Sequence, residues 1–270
     1  MHFHAPSLLL LVAGAAAAPF AETESLLTKR ANSDFSVVPH NSIKYIPESY
    51  RGGSEGNAIR RYEPYLHIAH GCQSYPAVSS TGQVGGGLQN SGSPSGGCND
   101  PANGQTYVRG AWYKGRYAIM YSWYFPKDQT TAGGANGGHR HDWENVVIWI
   151  DNRTCNPFTS SSKHLLIQLS LAANANPRVF GGAASGHGGY KKTANPQMRD
   201  GNRLQVEYFT NFPTNHELQF KTSPGGDHAM IDYDTVNADV RRALDGYEWG
   251  KANCPFKNGN FENNLAKAWV

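Results

Sequence analysis

Residues 116–125 read RYAIMYSWYF, with Tyr117, Ile119, Tyr121, Trp123 and Phe125 on one parity and Ala118, Met120, Ser122 and Tyr124 on the other. Period-two alternation rich in aromatic residues is the pattern of a β-strand. Upstream, Thr106 to Tyr113 (TYVRGAWY) joins it across Lys114-Gly115, where glycine supplies the positive φ that a tight hairpin turn needs. Downstream, WENVVIWI (143–150), HLLIQLSLA (164–172) and RLQVEYF (203–209) read as further strands. VVIWI is apolar at both parities and is expected deep between two layers. Two helices are expected late in the chain: TVNADVRRALD, capped by Asp234 with Gly246 just past its end, and FENNLAKAW, capped by Asn260. No internal repeat or linker divides the chain, so the expected fold is mainly β, a central β-sandwich with peripheral helices forming one domain over residues 31–270.

The composition agrees with an ordinary globular protein: 270 residues, 39% hydrophobic, 17% charged, net charge +3, with 30 glycines to supply turns. Basic residues gather only in the pairs Lys29-Arg30, Arg60-Arg61, Lys191-Lys192 and Arg241-Arg242, which argues against nucleic acid as a partner. Leu8 to Ala18 (LLLLVAGAAAA) is too short to span a bilayer and ends in small residues, so residues 1–18 read as a secretory signal peptide. Residues 19–30 then form a short propeptide ending at the dibasic Lys29-Arg30; the other reading of that pair is two incidental exposed cations. No other stretch approaches the roughly 20 apolar residues of a membrane-spanning helix, so no transmembrane segment is expected.

Secretion into an oxidising compartment favours disulfides, and the four cysteines form no CxxC pair, which disfavours zinc. Cys72 and Cys98 flank a Gly/Ser-rich loop (STGQVGGGLQNSGSPSGG) that could not hold itself by core burial, and a Cys72–Cys98 crosslink is expected there. Cys155 and Cys254 are left as the second pair. Asn152-Arg153-Thr154 is a sequon, making Asn152 a candidate glycosylation site.

Chemistry concentrates in Pro126 to Glu144, PKDQTTAGGANGGHRHDWE. On a strand beginning near Asp142, Asp142 and Glu144 project to one face. Asp128 lies before the Gly-rich loop and His139 at its end. Adjacent carboxylates repel unless a cation lies between them, and three carboxylates with one imidazole form a mainly hard donor set suited to Mg²⁺, Ca²⁺ or Mn²⁺. Two other readings stay open. Arg140 can pair with a carboxylate in a surface ion-pair network of little energetic weight. Alternatively, His141 with Asp142 and Glu144 can serve as general acid and base in a metal-assisted hydrolase, a reading weakened because neither HExxH nor GxSxG is present.

These residues carry a resemblance. AIMYSWYFPKD (118–128), GHRHDWE (138–144) and the following VVIWID, with HGCQSYPAV around Cys72, HGGY at 187–190 and GKANCPF around Cys254, resemble the necrosis- and ethylene-inducing peptide-like proteins. Those are secreted cytolysins of plant-associated fungi, oomycetes and bacteria. The resemblance covers most of the chain after residue 30 and implies an actinoporin-like sandwich with a divalent cation in an acidic cavity. Carried over by motif, the ligands are Asp128, His139, Asp142 and Glu144, with Arg140 and His141 as supporting cavity groups and Trp143 in the core. The ten residues between Asp128 and His139 are more than the family pattern leads one to expect.

The implied action is binding of glycosylinositol phosphorylceramide head groups on the outer leaflet of eudicot plasma membranes, then membrane damage without bond cleavage, by a protein expected to be monomeric in solution. SGHGGYKK (185–192), with His187 and Tyr190, is the candidate glycan or membrane rim; the other reading is a simple glycine turn with His187 as bystander. The segment Ala118 to Asp128 resembles the one that plant immune receptors detect. Some members of the family are non-toxic, so a glycan binder or elicitor is the alternative function, and a metal-dependent hydrolase a lesser one.

Overall fold

The computed structural model describes residues 32–134, 137–151, 178–186, 188–213 and 215–270. The signal peptide, the propeptide, the expected strand at 164–172, Asn152, Cys155 and His187 lie outside the described residues. In chain order the strands are β1 (Val37–Val38), β2 (Tyr65–Ile68), β3 (Val84–Gly85), β4 (Thr106–Tyr113), β5 (Arg116–Asp128), β6 (His139–Asp151), β7 (Arg178–Gly186), β8 (Gly189–Thr193), β9 (Met198–Arg199), β10 (Arg203–Asn211), β11 (Asn215–Phe220) and β12 (Met230–Asp232). The helices are α1 (Gly53–Arg61), α2 (Ala238–Gly246) and α3 (Phe261–Ala268).

The alternating stretch sits at the centre of the larger sheet, whose order is β12-β4-β5-β6-β7-β8. A second sheet orders β11-β10-β2, with β9 pairing on β10. In the antiparallel β5–β6 pair, Phe125 faces Asp142, Trp123 faces Glu144 and Tyr124 faces Trp143. Directly opposed residues share a face, so Asp142 and Glu144 lie on the side of Phe125 and Trp123. The Phe125 ring stacks on Tyr208 of β10 at 3.8 Å, 11° from parallel, which makes this the face turned to the second sheet.

The opposite face is also covered. Tyr124 and Trp143 pack around Trp249, with ring centroids 5.4 and 5.5 Å away, and Trp143 meets Phe256. Trp149 Nε1 donates to Ala268 O at 3.1 Å and ties α3 to the same side. Cover on both faces explains why Val146 to Ile150 are apolar at every position and fully buried. At the other end of β5, the Cys72–Cys98 disulfide closes its loop as expected. The loop is also pinned by Lys127, whose buried ammonium donates to Ser91 O (3.2 Å), Ser93 O (2.8 Å) and Gln129 Oε1 (3.0 Å).

Several expectations need correction. The cap of α2 is Asn237, whose side chain accepts from Val240 N at 2.9 Å; Asp234 is drawn instead to Arg51 Nη2 at 2.6 Å. Gly246 is the last helical residue and not the one beyond it. Asn260 does precede α3, but its amide donates to Cys254 O and makes no side-chain cap. Cys254 is fully buried and is bonded to no other cysteine among the described residues; its expected partner, Cys155, lies outside them. Helix α1 was hidden by its polar, glycine-containing sequence GSEGNAIRR.

Candidate functional site

The approach to the carboxylate cluster is a sharp turn into β6. Gly138 has φ +94°, and a Cβ there would run into the Asp128 carbonyl, so glycine alone fits the close passage. His141 also takes a left-handed φ of 61°, which costs energy for a residue with a Cβ and persists only where surroundings enforce it. They do so here. His141 Nδ1 is 2.6 Å from the Tyr124 hydroxyl, and its ring packs edge-on to Trp249 and Tyr247 at 5.4 and 5.9 Å. Burial, reinforced by the Arg140 charge, pushes its pKa down to about 3, so it is an uncharged core group on the far face from Asp142. His141 thus faces away from Asp142, into the aromatic cluster, while Arg140 reaches back to the Gly86 carbonyl.

Asp128, Asp142 and Glu144 are buried at 1%, 6% and 6% exposure. Asp128 Oδ1 accepts from His216 Nδ1–H at 2.6 Å and from the His216 backbone N–H at 3.2 Å. Asp142 Oδ2 accepts from the Tyr208 hydroxyl at 2.9 Å, and Glu144 Oε2 from the Ser185 hydroxyl. His139 Nδ1–H donates to the His141 carbonyl at 2.6 Å, which turns its lone-pair atom Nε2 to within 3.8 Å of Asp128 Oδ2. Burial first, then the Asp128 charge, raises the Asp142 carboxyl; burial and the Asp142 charge push Glu144 well above the usual carboxylate range. The structure thus brings the four sequence-predicted residues into one electrostatically coupled group. As they stand, no three His, Cys, Asp or Glu side chains among the described residues converge closely enough to hold a metal ion.

Four partners were not anticipated. His216 and Glu217 are adjacent in β11, both 1% exposed, and Glu217 is paired with Lys191; its charge adds to the pressure on Glu144. Tyr208 and Ser185 complete the set. Burial and the Asp142 charge hold the Tyr208 hydroxyl well above the usual phenol range, so it stays a donor. The signal available in the sequence was the run NHELQF, whose central His-Glu is a charged pair inside a strand pattern. Tyr190, expected at a rim, is partly buried and donates to Asn145 Oδ1 at 2.8 Å, tying β8 across to β6.

Residues 56–268 match the family described as Necrosis inducing protein (NPP1). The chain belongs to this family. Among its relatives, NLP effector protein Pc107869 of Phytophthora capsici is 39% identical over 236 residues, which is 86% of this chain and 62% of that protein. The chain therefore spans less than two thirds of that relative's length. Of the solved structures, NLPPya in complex with mannosamine superposes with a TM-score of 0.73 at 37% identity, covering 87% of this chain and 100% of that one. The non-toxic HaNLP3 protein gives 0.72 at 33% identity, covering 85% and 98%. The sandwich with peripheral helices is the actinoporin-like architecture that resemblance to the necrosis-inducing family implied.

Proposed function

We propose that this necrosis-inducing family member is a secreted cytolytic effector. In this reading its acidic cavity holds a divalent cation, Mg²⁺ or Ca²⁺ before Mn²⁺, and through it the sugar head group of glycosylinositol phosphorylceramides on plant plasma membranes, leading to membrane damage, necrosis and immune responses. The observation that carries the reading is the burial of Asp128, Asp142 and Glu144 within mutual electrostatic reach, with His139 Nε2 3.8 Å from Asp128 Oδ2. Three carboxylates and one imidazole fit a hard divalent cation in chemistry, and a cation is what relieves their repulsion. When bound, it would accept sugar hydroxyls in place of water. The chain's own residues hold and orient that group; no covalent step is involved, and the action is binding and not turnover.

A sugar ligand is supported by the NLPPya–mannosamine complex. A soluble monomer that acts at the outer surface of the host membrane is consistent with the absence, among the described residues, of any helix long and apolar enough to cross a membrane. A second reading, a non-toxic glycan binder or elicitor, is supported by the likeness to non-toxic HaNLP3.

The test is dye release from eudicot plasma-membrane vesicles with the chain lacking residues 1–30, with and without a chelator, beside Glu144→Ala. Leakage abolished by both supports the cytolysin. Undiminished leakage in chelator overturns the cation's role, sealed vesicles that still retain the protein favour the second reading, and cleaved lipid head groups would establish a hydrolase.

A further inference from the structure

A recess of about 290 Å³ lies between β4 from Arg109 onward, the Asn258-Gly259 turn and the start of α3. Pockets for drug-sized molecules run from roughly 300 to 1,000 Å³, so this volume suits a ligand of about one ring. Arg109 shares its strand parity with Tyr107, whose ring packs on Trp143, so the recess lies on the aromatic face of the larger sheet, opposite the carboxylates. Arg109 pairs with Met120, and Met120 to Asp128 spans eight residues of β5. Roughly 26 Å of strand therefore separates this recess from the acidic cavity.

One wall is held rigidly. The Arg109 guanidinium sits over the rings of Tyr233 and Phe261, 4.3 and 4.6 Å from their centroids. Nη1 donates to Phe256 O at 2.7 Å, Nη2 donates to Asn258 Oδ1 at 3.0 Å, and Nε lies 3.5 Å from Asp234 Oδ1. A guanidinium carries five N–H groups, so donors remain after these contacts. The other wall is the first turn of α3, which has no side-chain cap. The backbone N–H groups of Glu262 and Asn263 make no hydrogen bond among the described residues. Asn263 Nδ2 donates to Gly259 O at 2.9 Å, which leaves its Oδ1 to accept. The Glu262 carboxylate has no hydrogen bond or ion pair among the described residues. Ala111 and Leu265 add an apolar patch.

Donors and acceptors thus sit side by side around one small volume. A phosphate or sulfate would meet the carboxylates of Asp234 and Glu262, and a simple cation would meet the guanidinium. A hydroxyl both donates and accepts, so a molecule bearing several of them satisfies both kinds of group while its C–H face covers the apolar patch. We propose that this recess binds one neutral or amino sugar unit of a glycan, independently of the acidic cavity and of any cation. Glu262, otherwise unpaired, favours a sugar that carries an ammonium group. The recess and the acidic cavity lie on opposite faces, so a body seated on a bilayer by the cavity, as proposed above, meets at this recess a glycan that is not a lipid head group of that bilayer.

The experiment is a ¹H–¹⁵N NMR titration of the protein with glucose and with glucosamine, in chelator. The amides of Arg109 to Tyr113 and of Gly259 to Asn263 are expected to shift with saturation, glucosamine binding about two- to fivefold more tightly. Glu262→Gln is expected to erase that preference, and Asn263→Ala to weaken both sugars by about two- to tenfold. Ala111→Phe, which fills the recess, is expected to abolish binding. Glu262 and Asn263 are exposed, so their variants keep the test decisive should Ala111→Phe fail to fold. Glu144→Ala should bind both sugars as the wild type does, and Asn263→Ala should be retained on plasma-membrane vesicles as well as the wild type. No shift at these amides up to the solubility of either sugar overturns the proposal. Binding lost in Glu144→Ala would place the sugar in the acidic cavity, and vesicle retention lost in Asn263→Ala would make the occupant a lipid head group; either result overturns the independence of the recess.

Discussion

The Tyr124 hydroxyl and His141 Nδ1 lie 2.6 Å apart on the face of the sheet opposite the carboxylates, and this contact holds His141 in its left-handed backbone conformation. His141→Ala would leave the buried phenol without its partner and place an alanine at φ 61°. The expected loss is roughly 2–4 kcal/mol by urea unfolding. His141→Asn, better tolerated in that backbone region, should lose less. A change below about 0.5 kcal/mol in the alanine variant would show that the contact does not hold the turn.

The Glu63 carboxyl is pushed up to about 7 by burial, against the opposing charge of Arg203. In the unfolded chain it titrates near 4.5, so the folded form binds this proton more tightly. Its stabilising effect is therefore complete below the unfolded value and is lost as pH rises through the folded one. Glu63→Gln, which leaves Arg203 its 2.8 Å contact with Asp227, should match the wild type near pH 4 and exceed it at pH 8 by roughly 1–3 kcal/mol in chemical unfolding. An equal difference at both pH values would refute the assignment.

Burial raises the Cys254 thiol far above its ordinary range and removes it from solvent. Iodoacetamide under native, non-reducing conditions should leave it unmodified, and the same reagent in denaturant without reductant should label it in mass spectrometry. Failure to label after denaturation would show that Cys254 is crosslinked, as in the pairing with Cys155 expected from the sequence.

Residues Tyr117 to Asp128 are fully or almost fully buried in the centre of the larger sheet. If plants detect this segment, detection requires that β5 be released. Protein kept folded and protected from proteolysis should give a delayed or absent immune response in leaf tissue, whereas the 118–128 peptide or heat-denatured protein should act at once. Equal and simultaneous responses would count against release.

The strand at 116–125 and its partner at 143–150 were legible because both periodicity and length were unambiguous, and the structure only lengthens them, to Asp128 and from His139. The four carboxylate and imidazole positions were legible because they crowd into one short segment. What the sequence concealed is long-range. His216 lies 88 residues from Asp128, and Tyr208 lies 66 from Asp142; the His-Glu pair of NHELQF marks a polar spot inside a strand, but nothing local names its partner. His141 misled for a related reason. Adjacent to two carboxylates in the chain, it was grouped with them, but strand alternation sends its ring to the aromatic cluster around Trp249. The Asp234 cap failed because a nearby arginine, Arg51, claimed that carboxylate first.

The division of the cavity between two sheets limits how this protein can act. Asp128, Asp142 and Glu144 belong to the larger sheet, while Tyr208 and His216 reach them from the smaller one across the Phe125–Tyr208 stack. Any unfurling that parted the layers along that seam would carry the donors away and release whatever the cavity grips. On the proposed reading, holding a head group and opening the sandwich would be mutually exclusive states, so that damage inflicted while bound would come from an intact body and an opened form would have let go first.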